Sequence, residues 1–128
     1  MNNASDYLEN KILDHITGRT SYIMPGTVYV GLFTTNPTDA NTGTEVSHAS
    51  YTRESAAFNA AAAGATANTS DIVFGPAGVS WGTVSHIGVY DAVTSGNLLF
   101  HSALSLAKTI TTGDEFKIAA GALTLTLG

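Results

Sequence analysis

Two of the four histidines in this chain, His86 and His101, lie in a stretch whose pattern predicts a β-hairpin. If the turn is centred between Val93 and Thr94, they stand directly opposite each other on one face, within reach of a shared divalent ion. A divalent ion ordinarily needs a third ligand, and no carboxylate occupies a neighbouring ladder position. We therefore expect no metal and no cofactor, with a His86–His101 metal site as the less favoured alternative. The pair is interpreted as structural, adding at most a loosening of the hairpin below about pH 6.

Oxygen-bearing side chains alternate along Asp39, Asn41 and Glu45, with Gly43 among them. The spacing is similar to that of a calcium-binding loop, but the glycine stands at the fifth position instead of the sixth and the distal bidentate acid is missing. A solvated turn explains the pattern better. We predict that Asp39, Asn41, Glu45 and the nearby His48 are exposed loop residues that contact a partner.

The sequence contains no recognisable catalytic arrangement. No serine stands in a Gly-x-Ser-x-Gly motif, and no pair among the ten acidic residues is singled out for acid/base work. Trp81, Tyr90 and Phe100 are candidates for a carbohydrate-stacking platform, although aromatic residues among valines and leucines are typical of a β-sheet core. The sequence predicts a protein that is not an enzyme.

Composition excludes further classes of function. The 128 residues include only five lysines and arginines, carry a formal charge of −5 and lack cysteine. Binding of duplex nucleic acid requires several cations on one face, and thiolate chemistry requires cysteine. No apolar run is long enough to span a bilayer. We expect neither a nucleic-acid nor a membrane partner, while the low charged fraction of 12% suits close packing between proteins.

One amphipathic helix is predicted over residues 5–18. Its apolar stripe consists of Leu8, Ile12, Leu13 and Ile16. Asp6 and Glu9 resemble a capping box, and Gly18 can end the helix in a left-handed conformation. The stripe is expected to pack against an apolar surface.

From residue 27 onward the pattern is that of short β-strands. The predicted strands are residues 27–33, 51–58, 72–74, 81–90, 98–104, 108–112, 115–119 and 123–127. The segment 108–112 is expected to pair with 115–119, and residues 91–96 form a hairpin loop. The predicted fold is mainly β: an antiparallel β-sandwich or jelly roll with one N-terminal α-helix. We expect a single domain over residues 1–128, with residues 1–18 as an arm and helix and residues 27–127 as the sandwich.

Five segments carry a family likeness. They are YLENKIL at 7–13, TVYVGLFTTNPTD at 27–39, WGTVSHIGVYD at 81–91, TSGNLL at 94–99 and KTITTGD at 108–114. In this order they resemble a family of small structural proteins of tailed bacteriophages. Members are labelled tail fibre proteins, and relatives are similar to capsid decoration (cement) proteins and to the Gp80-like group. The resemblance implies a β-sandwich virion component, made in the cytoplasm of a bacterial host, and brings no catalytic or metal-binding residues.

Composition and resemblance together favour a head decoration protein at the virion surface. It would be a homotrimer that clamps neighbouring copies of the major capsid protein through many modest contacts. A tail-fibre or baseplate-associated protein is the alternative, with loops 36–50 or 91–96 contacting a tail protein or a host surface. A carbohydrate-binding module is a third possibility.

The N-terminal region is the predicted partner contact. Its candidate residues are Tyr7, Leu8 and Ile12 of the helix, together with the arm formed by residues 1–4. The alternative is a helix that only caps its own sandwich.

Overall fold

The computed structural model describes residues 2–127. Its elements are β1 (Asn2–Ala4), α1 (Asp6–Ile16), β2 (Val28–Phe33), β3 (Glu54–Ala56), β4 (Ala65–Ala67), β5 (Ile72–Phe74), β6 (Gly82–Tyr90), β7 (Leu98–Ile110), β8 (Phe116–Ile118) and β9 (Thr124–Thr126). The fold is mainly β and antiparallel with one N-terminal helix, which confirms the predicted fold class. Across residues 2–127, no helix has the length and apolar character needed to cross a membrane.

The larger layer is a five-stranded antiparallel sheet in the order β1-β7-β6-β2-β3. Strand β2 is buried on both faces toward its end, as its sequence predicts, with Val30 and Leu32 facing the main core and Phe33 facing the other side. On that second face, Phe33, Tyr90 and Leu98 form a smaller cluster around Gly88. A Cβ at Gly88 would lie 2.9 Å from both the Phe33 ring and the Leu98 side chain, so the cluster requires glycine there.

The second layer consists of two small ladders, β5–β8 and β4–β9. Their inward side chains pack against Val30, Leu32, Ile87 and Val89 of the large sheet. The inward set is Ile72, Phe74, Phe116, Ile118 and Leu125, and Leu123, which immediately precedes β9, joins it. Each fully buried side chain of this kind contributes about 1.5–3 kcal/mol. Burial between the two layers therefore holds the sandwich together.

One predicted strand pairing is wrong. Residues 108–110 belong to the end of β7 and pair with Gly82–Val84 of β6, whereas β8 pairs with β5. Ile110 is fully buried, and β8 buries Phe116 and Ile118 beside β5. Burial of alternate apolar residues in the core thus determines which strands pair. The short turn at residues 111–114 does not make a hairpin of the two strands that flank it.

The helix begins one residue earlier than the predicted capping box implies. Ser5 is the N-cap, because its Oγ accepts a hydrogen bond from Leu8 N at 3.1 Å and donates to the carbonyl of Leu98. Asp6 is therefore the first helical residue and not the cap. At the other end, Gly18 has the expected left-handed conformation, with φ of +78°.

The apolar stripe of the helix is only partly covered. Leu8 is buried, but Leu13 is 56% and Ile16 is 69% exposed. The expected packing against an apolar surface is therefore provided by the chain's own sandwich for Leu8 and not for Leu13 and Ile16. The arm before the helix forms β1, which pairs with Phe100–Ser102 at the edge of the large sheet, while Met1 lies outside the described residues.

Candidate functional site

The two histidines of the central hairpin do not face each other as predicted. His86 pairs with Ala103 and His101 pairs with Gly88, so the expected register is wrong by two residues. An irregularity between Val89 and Tyr90 shifts the ladder near the turn. Because the shift is an even number, both side chains remain on one face as diagonal neighbours. Burial lowers the pKa of His86, and the nearby His101 lowers that pKa further.

Each imidazole has a partner other than a metal. His86 Nδ1 lies 2.8 Å from the Ser85 hydroxyl, and His101 Nε2 lies 2.7 Å from Asp39 Oδ1. An ionised carboxylate only accepts hydrogen bonds, so the His101 ring N–H is the donor. His101 is buried on β7, and Asp39 lies in the loop 36–50. This bond therefore attaches the loop to the sheet.

Three of the four predicted loop contacts serve as anchors to their own sheet. Asp39 accepts from His101, Asn41 Oδ1 accepts from the Tyr90 hydroxyl at 2.6 Å, and the Glu45 carboxylate binds Arg53. Asp39 and Asn41 are exposed, as predicted, and Glu45 is half-buried; the contact of these side chains with a partner stays a prediction. A polar loop that crosses a sheet face must find partners for its polar groups, and these side chains supply them.

Arg53 is the residue that joins the two predicted contact loops, and no pattern in the sequence indicated it. Its side chain is only 8% exposed. Nε and Nη2 donate to the two oxygens of Glu45, each at 2.9 Å, and Nη1 donates to the carbonyls of Ala92 at 2.9 Å and Ser95 at 2.7 Å. The guanidinium carbon also lies 3.6 Å from the centre of the Tyr90 ring. One buried cation thus holds loops 36–50 and 91–96 together.

The electrostatics of this cluster keep Arg53 charged and the two phenols neutral. Burial by itself lowers the pKa of Arg53, but the bonds to Glu45 outweigh it and the pKa is raised. Burial raises the pKa of Tyr51, and its hydrogen bond to Glu45 raises it further. Burial likewise raises the pKa of Tyr90 to about 12 against the opposing effect of Arg53. Both phenols therefore remain hydrogen-bond donors at physiological pH.

Between the two joined loops lies an open hollow of about 630 Å³, named here the loop cleft. It is lined by Glu45, Val46, Ser47, His48, Ala49, Tyr51, Thr52, Arg53, Val93 and Thr94. His48 is exposed on its wall, in agreement with its predicted exposure, and its contact with a partner stays a prediction. Ser47, Thr52 and Thr94 present exposed hydroxyl side chains beside it.

The aromatic platform considered from the sequence is not formed. Trp81 and Tyr90 are each 3% exposed, and Phe100 is half-buried against the main core. Trp81 packs edge-on against Tyr51, and its indole N–H donates to Ser50 Oγ at 3.2 Å. Trp81 and Tyr90 are therefore core residues without an open face for a sugar, and the half-buried Phe100 alone makes no platform.

Of the three predicted helix contacts, Leu8 is covered by the chain's own fold, and the contact of Tyr7 and Ile12 with a partner stays a prediction. Leu8 is 6% exposed and therefore unavailable to a partner, and Tyr7 and Ile12 are half-buried. The exposed side chains nearby are Leu13, Ile16, Ile23 (86%) and Met24 (81%), together named the apolar patch. The segment after the helix returns alongside it, since Tyr22 N donates to His15 Nδ1 at 3.0 Å.

The family model described as podophage GP4 fiber I protein gp80 matches residues 3–126. The chain belongs to this family. No curated protein matches it.

Membership of the gp80 family makes the chain a bacteriophage structural protein, which confirms the resemblance found in the sequence. The family match spans both joined loops, the helix and the apolar patch. The family description names a fibre, whereas the sequence favoured the head.

Within residues 2–127 of this gp80-family chain, one group of three acidic side chains has the spacing to hold a cation. Asp6, Glu9 and Asp39 place carboxylate oxygens within 4.8 Å of one another, and all three are exposed. Neither His86 nor His101 belongs to that group, so the candidate histidine metal site gains no third ligand.

Proposed function

We propose that this gp80-family chain is a fibre subunit of the bacteriophage virion that acts by binding alone. The observation that carries the proposal is the match of residues 3–126 to a family described as a podophage fibre protein. The features of the molecule agree with such a role. It offers two surfaces of different character, the apolar patch beside the helix and the polar loop cleft.

Head decoration is the second candidate function. A cement protein would bind the major capsid protein lattice as a homotrimer, and the low charged fraction of 12% and the apolar patch favour contact with other proteins in either location. Both functions require a virion component; they differ in where it lies and in which protein it contacts.

Location in the particle distinguishes the two candidates. A cryo-EM reconstruction of the parent phage should contain density for this sandwich in fibres attached to the tail. Density at the three-fold positions of the head would replace the fibre proposal with head decoration. Absence of the chain from purified particles, measured by mass spectrometry, would contradict both.

The apolar patch is the surface that we propose for contact with further copies of the chain in a homotrimer. A standard interface removes roughly 800 Å² from each partner, and large apolar side chains supply its centre. All four patch side chains are more than half exposed. The same segment carries Lys11, Asp14 and Arg19, so copies can pair opposite charges around the apolar centre.

A matched pair of variants tests this surface. The double variant Ile16→Ser/Ile23→Ser should convert the trimer to a folded monomer, because it removes apolar area without touching the core. Leu106→Ser is the control, since Leu106 is 82% exposed but lies on β7. Size-exclusion chromatography with light scattering gives the mass. A monomeric parent protein at every concentration, or a trimeric double variant, would contradict the proposal.

A further inference from the structure

The two charged side chains that line the loop cleft, Glu45 and Arg53, neutralise each other. Glu45 and Arg53 pair with each other through two hydrogen bonds of 2.9 Å, and the Tyr51 hydroxyl donates to Glu45 Oε2 at 2.6 Å. Arg53 Nη1 donates its hydrogen bonds to the carbonyls of Ala92 and Ser95. A strongly charged ligand would therefore find no opposite charge free to neutralise it, which favours an uncharged ligand.

The walls of the cleft mix hydroxyl groups, an imidazole and small apolar side chains. Ser47, His48, Thr52 and Thr94 are exposed hydrogen-bonding residues on the two sides. Ala49 and Val93, which is 43% exposed, lie between them. Sugars present hydroxyl groups together with apolar C–H faces, and sites that fix small ligands combine a few polar groups with such apolar surface.

The cleft is formed before any ligand arrives. Arg53 bonds Glu45 on one side and the carbonyls of Ala92 and Ser95 on the other, so both walls are fixed by one buried side chain. Asn97 N also donates to Asp91 Oδ1 at 2.7 Å, which closes the base of the 91–96 loop. A preformed site loses little conformational entropy on binding.

We propose that the loop cleft is a binding site for a neutral saccharide, with Ser47, His48, Thr52 and Thr94 as the polar contacts. This inference rests on the proposed fibre function and deepens it, since it names the class of ligand that the fibre would bind. A single shallow site of this kind binds weakly, and many copies on one particle raise the overall affinity.

The test is a titration of the isotope-labelled full chain followed by backbone amide NMR. The probes are D-glucose, D-galactose, L-rhamnose and N-acetyl-D-glucosamine, each to about 100 mM, with glycerol as a non-specific polyol and N-acetylneuraminic acid as a charged sugar. At least one neutral sugar should produce saturable shifts at residues 47–53 and 93–94. Shifts equal to those caused by glycerol, or saturable binding of the charged sugar alone, would overturn the proposal.

Two matched variants show whether the cleft carries the binding. Ala49→Trp fills the cleft and should raise the Kd for the sugar at least about tenfold. Ala60→Trp places the same ring on an exposed alanine outside the cleft and should leave the Kd unchanged. Thr94→Trp fills the cleft from the other wall and replaces Ala49→Trp if that variant does not fold. Unchanged binding in a folded cleft-filled variant would overturn the site.

Failure of this inference is distinguishable from failure of the fibre assignment. The titration uses isolated protein, so lack of binding removes the saccharide site and leaves the position in the virion untouched. Absence of the chain from fibres, seen in the particle, removes the fibre function whatever the titration gives.

Discussion

At the scale of single residues, Arg53 is the side chain on which the loop cleft depends. Arg53→Ala leaves the Glu45 carboxylate and the carbonyls of Ala92 and Ser95 without their donors. Removing one partner of a buried ion pair costs about 3–5 kcal/mol, and the partial exposure of Glu45 places the expected loss of unfolding free energy at about 3 kcal/mol. Urea unfolding measures it.

Lys117→Ala is the control for Arg53→Ala. Lys117 is 59% exposed and lies 4.0 Å from Asp71, so its removal should change the free energy of unfolding by less than about 1 kcal/mol. Equal losses in the two variants would contradict the assigned role of Arg53.

His86 should make stability depend on pH. Its pKa is lowered in the folded protein, so the unfolded chain takes up the proton more readily and protonation favours unfolding. The contribution of neutral His86 is present above its ordinary pKa of 6.5 and is lost as the pH falls through the lowered folded value. Between about pH 7.5 and 5.5, the unfolding free energy of the parent should fall more steeply than that of His86→Asn.

Urea unfolding of both proteins across this pH range checks the prediction, and His101 is intact in each. Identical slopes for the parent and His86→Asn would show that His86 adds no pH dependence.

The residues of the candidate site were only partly predictable. Asp39, Asn41 and Glu45 were selected from a polar loop, but their bonds within the chain were not predicted. Their partners His101, Tyr90 and Arg53 lie 62, 49 and 8 residues away in the chain. Which of these groups meet depends on strand register, and a two-residue error in register was enough to misplace His101.

At the scale of elements, strands with continuous apolar or alternating patterns were predictable, and their pairing was not. The ranges of β2, β5 and β6 follow closely from the sequence. Strand β8 was paired with its sequence neighbour because local turns favour hairpins, yet burial of Phe116 and Ile118 joins it to β5 instead. Periodicity identifies which side chains are buried without identifying the strand that covers them.

The start of the helix gives a prediction at this scale. Ser5 is 1% exposed, caps Leu8 N and binds the Leu98 carbonyl, so it joins α1 to β7 as well as capping the helix. Ser5→Ala should lower the unfolding free energy by about 1–2 kcal/mol, since the cap is lost and a buried carbonyl loses its donor. Ser105→Ala, at an exposed position, should change it by less than about 0.5 kcal/mol. Equal effects in urea unfolding would contradict the capping role.

At the scale of the whole molecule, the N-terminal region combines the two roles that the sequence presented as alternatives. Residues 2–8 complete the sandwich: β1 covers the edge of β7, Ser5 binds the Leu98 and Leu99 carbonyls, and Leu8 is buried. The later part, from Leu13 to Met24, leaves apolar side chains exposed. Truncation therefore cannot separate partner contact from folding, whereas point variants in the apolar patch can.

Deletion of residues 1–18 should consequently yield an aggregating protein. It uncovers the β7 edge at Phe100–Ser102 and the apolar surface beneath Leu8, and an exposed strand edge promotes association with other chains. Size-exclusion chromatography and circular dichroism should show large soluble aggregates or insoluble protein, while Ile16→Ser/Ile23→Ser retains the β spectrum and melting temperature of the parent. A truncated chain that is soluble and melts like the parent would mean that the helix serves only as a contact element. The truncation and the double variant together therefore assign folding to residues 1–18 and assembly to the exposed side chains of the apolar patch.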